Sequence, residues 1–448
     1  MHSFIEEADR QGRAAAHPAF RRVLKEINKH SNAEYFILKS IIVGSLYGVD
    51  IMEEATEICK LRLFLKLVAH VWRNDRRENM GLEPLPDVDF NIRAGNTLVG
   101  FASLGEVKSA LAARLDFSAG ETLRQIEEDA READRAYKRF RQIQTVYDYK
   151  DETQAEFKRE LRRRLDALAE KLDRHLAEIY GKDPHKQKEF EAWRRSHQPF
   201  HWYTEFYGIV TSGGFDVIIG NPPYVELNAL SQYNLLGYKC IDSGNLYALI
   251  IERCLSLSKR VGREGFIVPV SSISTDRYES LQQLITKHQL HYSSFDDRPS
   301  RLFDGLEHIR LTIHLISAHS SIASLFSTRY NKWAAIERTK LFEELSYTVS
   351  STALVAGTLP KLSSGIEESI IEKLSSQKKC LASFYSKDGN RVFYSRKVGY
   401  FIQALDFEPK VLDGDGNRRP PSEFKDLRFS TPIYAQTALC CLNANLFY

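Results

Sequence analysis

Six mostly apolar residues, Phe215–Gly220, run directly into the tetrapeptide Asn221-Pro222-Pro223-Tyr224. Two consecutive prolines fix φ and remove two backbone N–H donors, so a strand that reaches them must end in a stiff turn. In an open α/β sheet, ligands bind at the carboxyl ends of the strands. The sequence therefore predicts a buried strand of such a sheet, with this turn at its ligand-binding end.

The tetrapeptide suits one chemical task, which is to hold an exocyclic amine such as that of adenine. The lone pair of this amine is delocalised into the ring, and an Asn side-chain oxygen and a Pro carbonyl can each accept one of its two hydrogens. Held in this way, the nitrogen can aim its lone pair at a sulfonium methyl group while the tyrosine ring stacks on the base. The rate enhancement of methyl transfer then comes from the orientation of the amine and from hydrogen-bond acceptors that are already in place. The alternative is a rigid turn after a core strand, without chemistry.

Strands and helices alternate on both sides of this turn. The β-rich runs 41–43 and 46–49 are followed by apolar residues at helical spacing in 53–68, which predicts a strand and then a helix, the unit of a parallel, doubly wound sheet. The same alternation is predicted downstream, with helices at 245–258 and 274–287 and strands at 265–270 and 311–316.

Residues 105–195 differ from their surroundings, because they are dense in Arg, Glu, Lys and Ala. Leucines recur at helical steps, at positions Leu161, Leu165, Leu168, Leu172 and Leu176. This spacing predicts a long helix with one apolar face. The charges predict a solvated helical surface, with phosphate contact by Arg162, Arg163 and Arg164 as the alternative.

The length, net charge, cysteine content and apolar runs limit the class of protein to which this chain can belong. A length of 448 residues predicts two or three domains, and a net charge of +3 does not by itself indicate a nucleic-acid partner. Six cysteines without CxxC spacing indicate free thiols rather than a metal site. The first residues lack the pattern of a signal peptide and the apolar runs are short, so we expect a cytoplasmic protein without a membrane span.

Several motifs occur in the order found in one family. They are Tyr47-Gly48-Val49-Asp50-Ile51-Met52, Phe90-Asn91-Ile92-Arg93-Ala94-Gly95-Asn96-Thr97-Leu98-Val99-Gly100, Ser196-His197-Gln198-Pro199-Phe200-His201-Trp202, Asn221-Pro222-Pro223-Tyr224 and Phe303-Asp304-Gly305. With them the chain resembles the γ-class adenine-specific DNA methyltransferases, and more closely the methylases of Type IIG restriction-modification systems.

The resemblance implies S-adenosyl-L-methionine as cofactor and double-stranded DNA as partner. It places Asp50 at the ribose hydroxyls of the cofactor, with Ile51 and Asn96 at its adenine. It makes Asn221, Pro222, Pro223 and Tyr224 the catalytic residues. Phe303 would stack on the flipped target base opposite Tyr224.

The resemblance also implies a glycine-rich turn upstream of Asp50, and no GxG occurs there. We therefore expect a chain that is truncated at both ends, lacks the first strand of its sheet and depends on a companion chain for the glycine-rich motif. Two other functions stay open. One is a catalytically dead or split-gene fragment that only binds DNA or a partner, and the other is a protein-glutamine methyltransferase.

The expected fold is an α/β, doubly wound, Rossmann-like methyltransferase sheet with a helical insertion and a partial target-recognition domain. The predicted regions are a cofactor-binding half at 1–104, the insertion at 105–205, a catalytic half at 206–350 and the target-recognition domain at 351–448. In the last region, Tyr394, Arg396, Tyr400 and Phe401 interleave aromatic and basic side chains. This pattern suits DNA contact, and a hydrophobic core explains the aromatic residues equally well.

Overall fold

The computed structural model describes residues 18–112, 119–144, 151–229, 235–317, 324–350, 357–396 and 403–444. The chain divides into two compact units, Met1–Gly365 and Ile366–Tyr448. Among the described residues, no helix combines the length and the apolar character that crossing a membrane requires.

The strands are numbered in chain order. They are β1 (Gly48–Asp50), β2 (Ile92–Ala94), β3 (Phe215–Gly220), β4 (Ser258–Pro269), β5 (Gln289–Phe295), β6 (Leu311–Ser317), β7 (Leu325–Asn331), β8 (Thr348–Ser350), β9 (Tyr385–Ser395), β10 (Ala404–Leu405), β11 (Val411–Leu412), β12 (Arg418–Arg419) and β13 (Phe424–Phe429).

The helices are numbered in the same way. They are α1 (Pro18–Ile27), α2 (Ala33–Ser45), α3 (Glu53–Val68), α4 (Leu104–Ala112), α5 (Ala119–Gln144), α6 (Asp151–Ile179), α7 (Gln187–His197), α8 (Trp202–Glu205), α9 (Tyr207–Thr211), α10 (Leu246–Leu257), α11 (Ser271–Ser274), α12 (Glu279–Ile285), α13 (Gly365–Ser375) and α14 (Pro432–Leu442).

Two sheets organise the first unit. The larger has the strand order β3-β4-β6-β5-β7-β8, in which β3 pairs with β4 and β5 with β7 in parallel and the other neighbours are antiparallel. The strands β1 and β2 form a separate parallel pair. The predicted α/β architecture is confirmed with a mixed sheet rather than a wholly parallel one, and its doubly wound, Rossmann-like details stay a prediction.

The strand predicted at 41–43 is wrong, because these residues belong to helix α2. Their β-branched side chains favour strands, but the apolar pattern of the whole segment has a helical period. The buried side chains of this helix are Tyr35, Phe36, Lys39, Ile42 and Val43. Their spacing of three and four residues forms one face, and burial of that face overrides local propensity.

The long helix predicted from the leucine spacing is confirmed as α6. All five leucines of the stripe are buried, and the helix packs against α5. On the outer surface, the guanidinium of Arg163 lies 2.9 Å from a carboxylate oxygen of Glu160, and Arg164 pairs with Glu132 and Glu160. The charged residues therefore form a solvated surface held by ion pairs.

Two apolar surfaces of the first unit are exposed, and the sequence predicts burial for one of them, strand β3. Helix α3 forms as predicted, but the four apolar residues that define its spacing are more than half exposed: Ile58, Leu61, Leu65 and Val68. Strand β3 also forms, yet Val217 and Ile219 are 62% and 81% exposed. The prediction of a buried strand is therefore wrong for one face of β3.

The segment from Leu359 to Leu362 belongs to the first unit. The amide of Leu359 donates to the carbonyl of Ile273 at 2.7 Å, and the amide of Leu362 donates to the hydroxyl of Ser327 at 3.0 Å. These bonds tie the segment to α11 and β7 of the larger sheet.

The second unit contains an antiparallel sheet of order β10-β9-β13 and a hairpin of β11 and β12. Helix α14 packs its buried residues Ala435, Ala438 and Leu442 into a small core with Val392 and Phe429. In this unit the guanidinium of Arg391 lies 4.7 Å from the ring centre of Phe393. Tyr400 and Phe401 lie outside the described residues.

Candidate active site

The tetrapeptide Asn221-Pro222-Pro223-Tyr224 follows the carboxyl end of β3. Parallel pairing places Gly220 opposite Phe266 of β4, which anchors the start of the turn. The side chain of Pro222 is buried, whereas Asn221 and Pro223 are exposed. The buried Pro222 therefore anchors the turn on the sheet, and the Asn221 side chain is exposed to solvent.

The hydroxyl of Tyr224 contacts two acceptors. It lies 2.9 Å from the side-chain oxygen of Asn221 and 3.0 Å from the carbonyl oxygen of Ile267 in β4. The ring packs edge-on against Tyr247, which stacks on Tyr278. Burial raises the pKa of Tyr224 to about 12, so the hydroxyl stays a donor at neutral pH.

The chain after the tetrapeptide is attached to the beginning of α10. The amide of Leu246 donates to the carbonyl of Val225 at 2.9 Å, and the side-chain amide of Asn245 donates to Glu226 at 3.1 Å. Asn245 also caps α10 by accepting from the amide of Tyr247. Because these bonds hold both the loop and the helix, the turn has little freedom to change its orientation.

Asp50 ends β1 beside the end of β2. Its carbonyl accepts from the amide of Gly95 at 2.8 Å, and its carboxylate accepts from the amide of Met52 at 2.8 Å. A cavity of about 510 Å³ opens at these strand ends. Its lining includes Ile51, Met52, Glu53, Gly95, Gln198 and Pro199. The exposed side chain of Ile51 therefore offers an apolar wall beside acidic groups.

Asn96 is buried, and its side chain makes hydrogen bonds to other residues of the protein. Its amide group donates to the carbonyl of His197 at 3.0 Å, and its oxygen accepts from the amide of Leu98 at 3.1 Å. Its backbone amide also donates to Gln198 at 2.8 Å. Asn96 thus joins the end of α7 to the loop after β2, and its contact with a cofactor stays a prediction.

The loop after β2 packs directly on the residues that follow α7. Gly100 has a φ of +136°, and a Cβ added there would lie 2.0 Å from the carbonyl oxygen of Phe200, so this close approach requires glycine. The ring of His201 accepts from the amide of Phe101 at 3.2 Å and lies 3.0 Å from the carboxylate of Asp173. This buried histidine is fully engaged in holding the loop.

Phe303 lies half-buried in the loop between β5 and β6. Its neighbour Leu302 packs on the cluster of Phe295 and Trp333. Among the described residues, Phe303 has no ring contact with Tyr224. The two halves of the predicted base-stacking pair are thus not in contact with each other, and the role of Phe303 stays a prediction.

Glu264 is a titratable group that the sequence analysis missed. It lies on β4 opposite Ile218, with 2% of its surface exposed. Neither carboxylate oxygen reaches hydrogen-bond geometry with another described residue, although the Ser258 hydroxyl lies near enough to offset part of the effect of burial on the pKa. Burial raises the pKa of Glu264 to about 7. The segment Arg263-Glu264-Gly265 combines charged residues with glycine, as solvated turns do. The sequence therefore contains no indication that Glu264 is buried.

Residues 44–300 match the family model described as Eco57I restriction-modification methylase. This match spans more than half of the chain, including β1, the insertion and the tetrapeptide. The chain belongs to this family. The predicted similarity to Type IIG restriction-modification methylases is thereby confirmed.

Two curated members of restriction-modification systems are similar in sequence to this methylase-family chain. One is a putative type II restriction enzyme and methyltransferase of Methanocaldococcus jannaschii, 27% identical over 61% of this chain and 27% of that protein. The other is a type II restriction enzyme and methyltransferase of Escherichia coli, 32% identical over 18% of this chain and 9% of that protein. The matched part thus spans about a quarter or less of the length of these relatives.

A solved structure of a DrdV–DNA complex is 14% identical to this chain. The match covers 51% of this chain and 28% of that one, with a TM-score of 0.29. A TM-score this low supports no conclusion about this chain.

Proposed function

We propose that this chain methylates the exocyclic amine of adenine in DNA, with S-adenosyl-L-methionine as methyl donor, as part of a restriction-modification system. The observation that carries this proposal is the exposed Asn221 side chain at the end of β3, with its oxygen held by the Tyr224 hydroxyl at 2.9 Å. This arrangement presents an amide oxygen in a fixed position, as activation of an exocyclic amine requires.

The side-chain oxygen of Asn221 and the carbonyl oxygen of Pro222 accept the two hydrogens of the adenine amine. These bonds draw the amine nitrogen toward tetrahedral geometry and direct its lone pair out of the turn. With the methyl donor bound, the nitrogen lone pair would take the methyl group as the carbon–sulfur bond of the sulfonium breaks to leave a neutral thioether, and the nitrogen would release one proton to solvent. Because proline has no N–H, neither proline of the turn competes for these acceptors.

The cavity at the ends of β1 and β2 fits the nucleoside part of the cofactor. Asp50 directly precedes the lining residue Ile51 and would accept hydrogen bonds from the ribose hydroxyls, and Ile51 would pack on the adenine ring. When bound there, the cofactor supplies a methyl group on a sulfonium sulfur. Of the charged residues that line the same cavity, Arg194 is paired with Asp173 at 2.8 Å, so the charge left on Glu53 and Glu54 favours a cationic ligand.

The target adenine must leave the double helix, because its amine is engaged in the Watson–Crick pair. Extrusion of a base costs a few kcal/mol. Stacking on an aromatic side chain returns about 1–3 kcal/mol. Tyr224 and Phe303 are the residues that we propose for the two sides of the flipped base, with Phe303 approaching the base when DNA is bound.

Family membership and the names of the two curated relatives support DNA as the substrate, whereas glutamine in a protein has no comparable support. The second unit is our candidate for a DNA-contacting surface, because Arg391 and Arg396 are exposed on and beside β9 and Tyr394 between them is partly exposed.

Product analysis tests this proposal. Purified chain would be incubated with bacterial genomic DNA and methyl-tritiated S-adenosyl-L-methionine, and the DNA would then be digested to nucleosides. We expect the label in N6-methyldeoxyadenosine. Label in a methylated cytosine would contradict the choice of base. Absence of label both from the chain alone and from the chain mixed with a companion polypeptide that carries the glycine-rich motif would contradict the proposal.

A further inference from the structure

Four strands of the larger sheet end at the same side of that sheet. Strand β4 runs parallel to β3, β6 runs antiparallel to both β4 and β5, and β7 runs parallel to β5. The segments that follow β5 and β7 therefore leave the sheet at the side where the tetrapeptide follows β3. Three strand spacings separate β3 from β5 in the order β3-β4-β6-β5, a distance of about 14 Å.

A cavity of about 430 Å³ is formed by the segments that follow β5 and β7. We call it the strand-end pocket. Phe303, which we propose for one side of the flipped base, lies in the same loop after β5. The proposed function therefore brings DNA to the side of the sheet on which this pocket lies. The residues that line it include Arg298, Arg301, Asp304, His308, Trp333 and Arg338.

Arg338 has a fixed position in the strand-end pocket. Its guanidinium donates to the carbonyl oxygens of Arg301 at 3.2 Å and Leu302 at 2.9 Å, and its central carbon lies 5.6 Å from the ring centre of Trp333. Within the described ranges of the chain, no carboxylate forms an ion pair with it. A guanidinium has five N–H donors, so the two bonds to carbonyls leave donors and an uncompensated charge for an anion.

Arg338 and Arg298 leave an excess of positive charge in the pocket. The guanidinium of Arg298 lies 4.0 Å from the carboxylate of Asp297, and its side chain is 75% exposed. The exposed carboxylate of Asp304 opposes these two charges in part. The balance favours an anionic ligand. The other charged groups at the pocket are paired, Arg301 with Glu307 at 3.1 Å and Asp297 with Arg310 at 3.4 Å.

We propose that the strand-end pocket binds a phosphodiester group of the DNA that carries the target adenine, with Arg338 as the main donor. A planar guanidinium matches two phosphate oxygens, and one that is already held in place loses little freedom on binding. The separation of about 14 Å between β3 and β5 corresponds to about four nucleotides along DNA, at about 3.4 Å each. This inference rests on the proposed function and names a further contact with the same DNA.

The same guanidinium connects this contact to the stacking residue. Its two bonds end at Arg301 and Leu302, directly before Phe303. A phosphate bound by Arg338 therefore also fixes the loop from which the ring of Phe303 approaches the base.

The salt dependence of DNA binding tests the inference, and it requires neither cofactor nor catalysis. The full chain would be titrated into a fluorescein-labelled duplex of random sequence, and binding would be measured by anisotropy at several salt concentrations. Each neutralised phosphate contributes about 0.9 to the slope of log affinity against log salt concentration. Arg338→Gln should lower the slope by about this amount and weaken binding about tenfold. Arg338→Lys keeps the charge and should retain the slope.

The matched control is Arg124→Gln, at an arginine of α5 whose side chain is 75% exposed and paired with Glu121 at 3.0 Å. It should keep the affinity and the slope of the parent. An Arg338→Gln variant with the parent's slope overturns the inference even if its affinity falls, because a purely structural role leaves the number of neutralised phosphates unchanged. A slope that falls equally in Arg338→Lys also overturns it. These results leave the proposed function intact, whereas a parent chain that does not bind the duplex overturns both.

Discussion

The hydroxyl of Tyr224 donates a hydrogen bond to the side-chain oxygen of Asn221, with 2.9 Å between the two oxygens. An amide oxygen has two lone pairs, so Asn221 can accept a second hydrogen from a substrate amine while this bond persists. The single hydroxyl hydrogen is shared with the carbonyl oxygen of Ile267 at 3.0 Å, which connects the turn to β4. The acceptor is therefore positioned before any substrate arrives.

Removing only the tyrosine hydroxyl tests this positioning. In Tyr224→Phe the ring that stacks on the base remains, but the bond that orients Asn221 is lost. A neutral hydrogen bond contributes about 1 kcal/mol, so single-turnover methyl transfer should fall about fivefold. Tyr434→Phe, in the second unit, is the matched control and should transfer at the parent rate. A Tyr224→Phe variant as fast as the parent would show that Asn221 is oriented by other groups.

The target base is expected to stack on Tyr224 and Phe303 outside the double helix. A duplex with 2-aminopurine at the target position should become more fluorescent when the protein binds, because the probe leaves the base stack. Tyr224→Ala and Phe303→Ala should each reduce the increase, since each ring contributes about 1–3 kcal/mol of stacking. If Phe303→Ala matches the parent in fluorescence and turnover, Phe303 is a packing residue and only Tyr224 contacts the base.

Replacing the carboxylate at the end of β1 tests the cofactor assignment. Asp50→Asn keeps the size of the side chain but removes its charge, and a hydrogen bond to a charged group contributes about 1.5–3 kcal/mol. We expect S-adenosyl-L-methionine affinity to fall about tenfold or more in equilibrium dialysis. Asp216→Asn replaces an exposed aspartate at the beginning of β3 and serves as control. Equal affinity of Asp50→Asn and the parent would place the cofactor elsewhere.

Glu264 should make the stability of the fold dependent on pH. Burial raises its pKa from 4.5 to about 7 in the folded chain, so the folded state holds a proton that the unfolded state has lost between these values. The free energy of unfolding should therefore fall as pH rises from about 4.5 to 7, by on the order of 3 kcal/mol. Urea unfolding of Glu264→Gln, which cannot ionise, should lack this decrease. An identical pH profile in the variant would contradict the assignment.

Local sequence patterns predicted two kinds of feature: a helix whose apolar residues recur at the helical period, and a strand that ends at prolines. The leucine spacing from Leu161 to Leu176 predicted one buried face of α6, and the prolines after Gly220 predicted where β3 ends. In both cases the determining interaction lies within the segment itself: the helical period of an apolar face, or the fixed φ of proline. The order of the family motifs predicted the family that residues 44–300 match.

Features that depend on tertiary contacts could not be predicted in this way. The run Ile41-Ile42-Val43 looks like a strand when read alone, because its residues are β-branched. The helical period that buries Ile42 and Val43 appears only over the whole of α2. The exposure of Val217 and Ile219 depends on which elements lie beside β3. The engagement of Asn96 with His197 joins residues 101 positions apart, and no local pattern reports such a contact.

Methylation of the genome in the source organism is the most direct test of the central claim, that Asn221 activates adenine in DNA. The codon for Asn221 would be changed to alanine on the chromosome, and adenine methylation would be mapped by single-molecule sequencing in parent and variant. Loss of one acceptor typically lowers the rate on the order of 10² to 10³-fold. We predict that N6-methyladenine disappears from one sequence motif in the variant and persists at all others. An unchanged methylation map would contradict the proposed function.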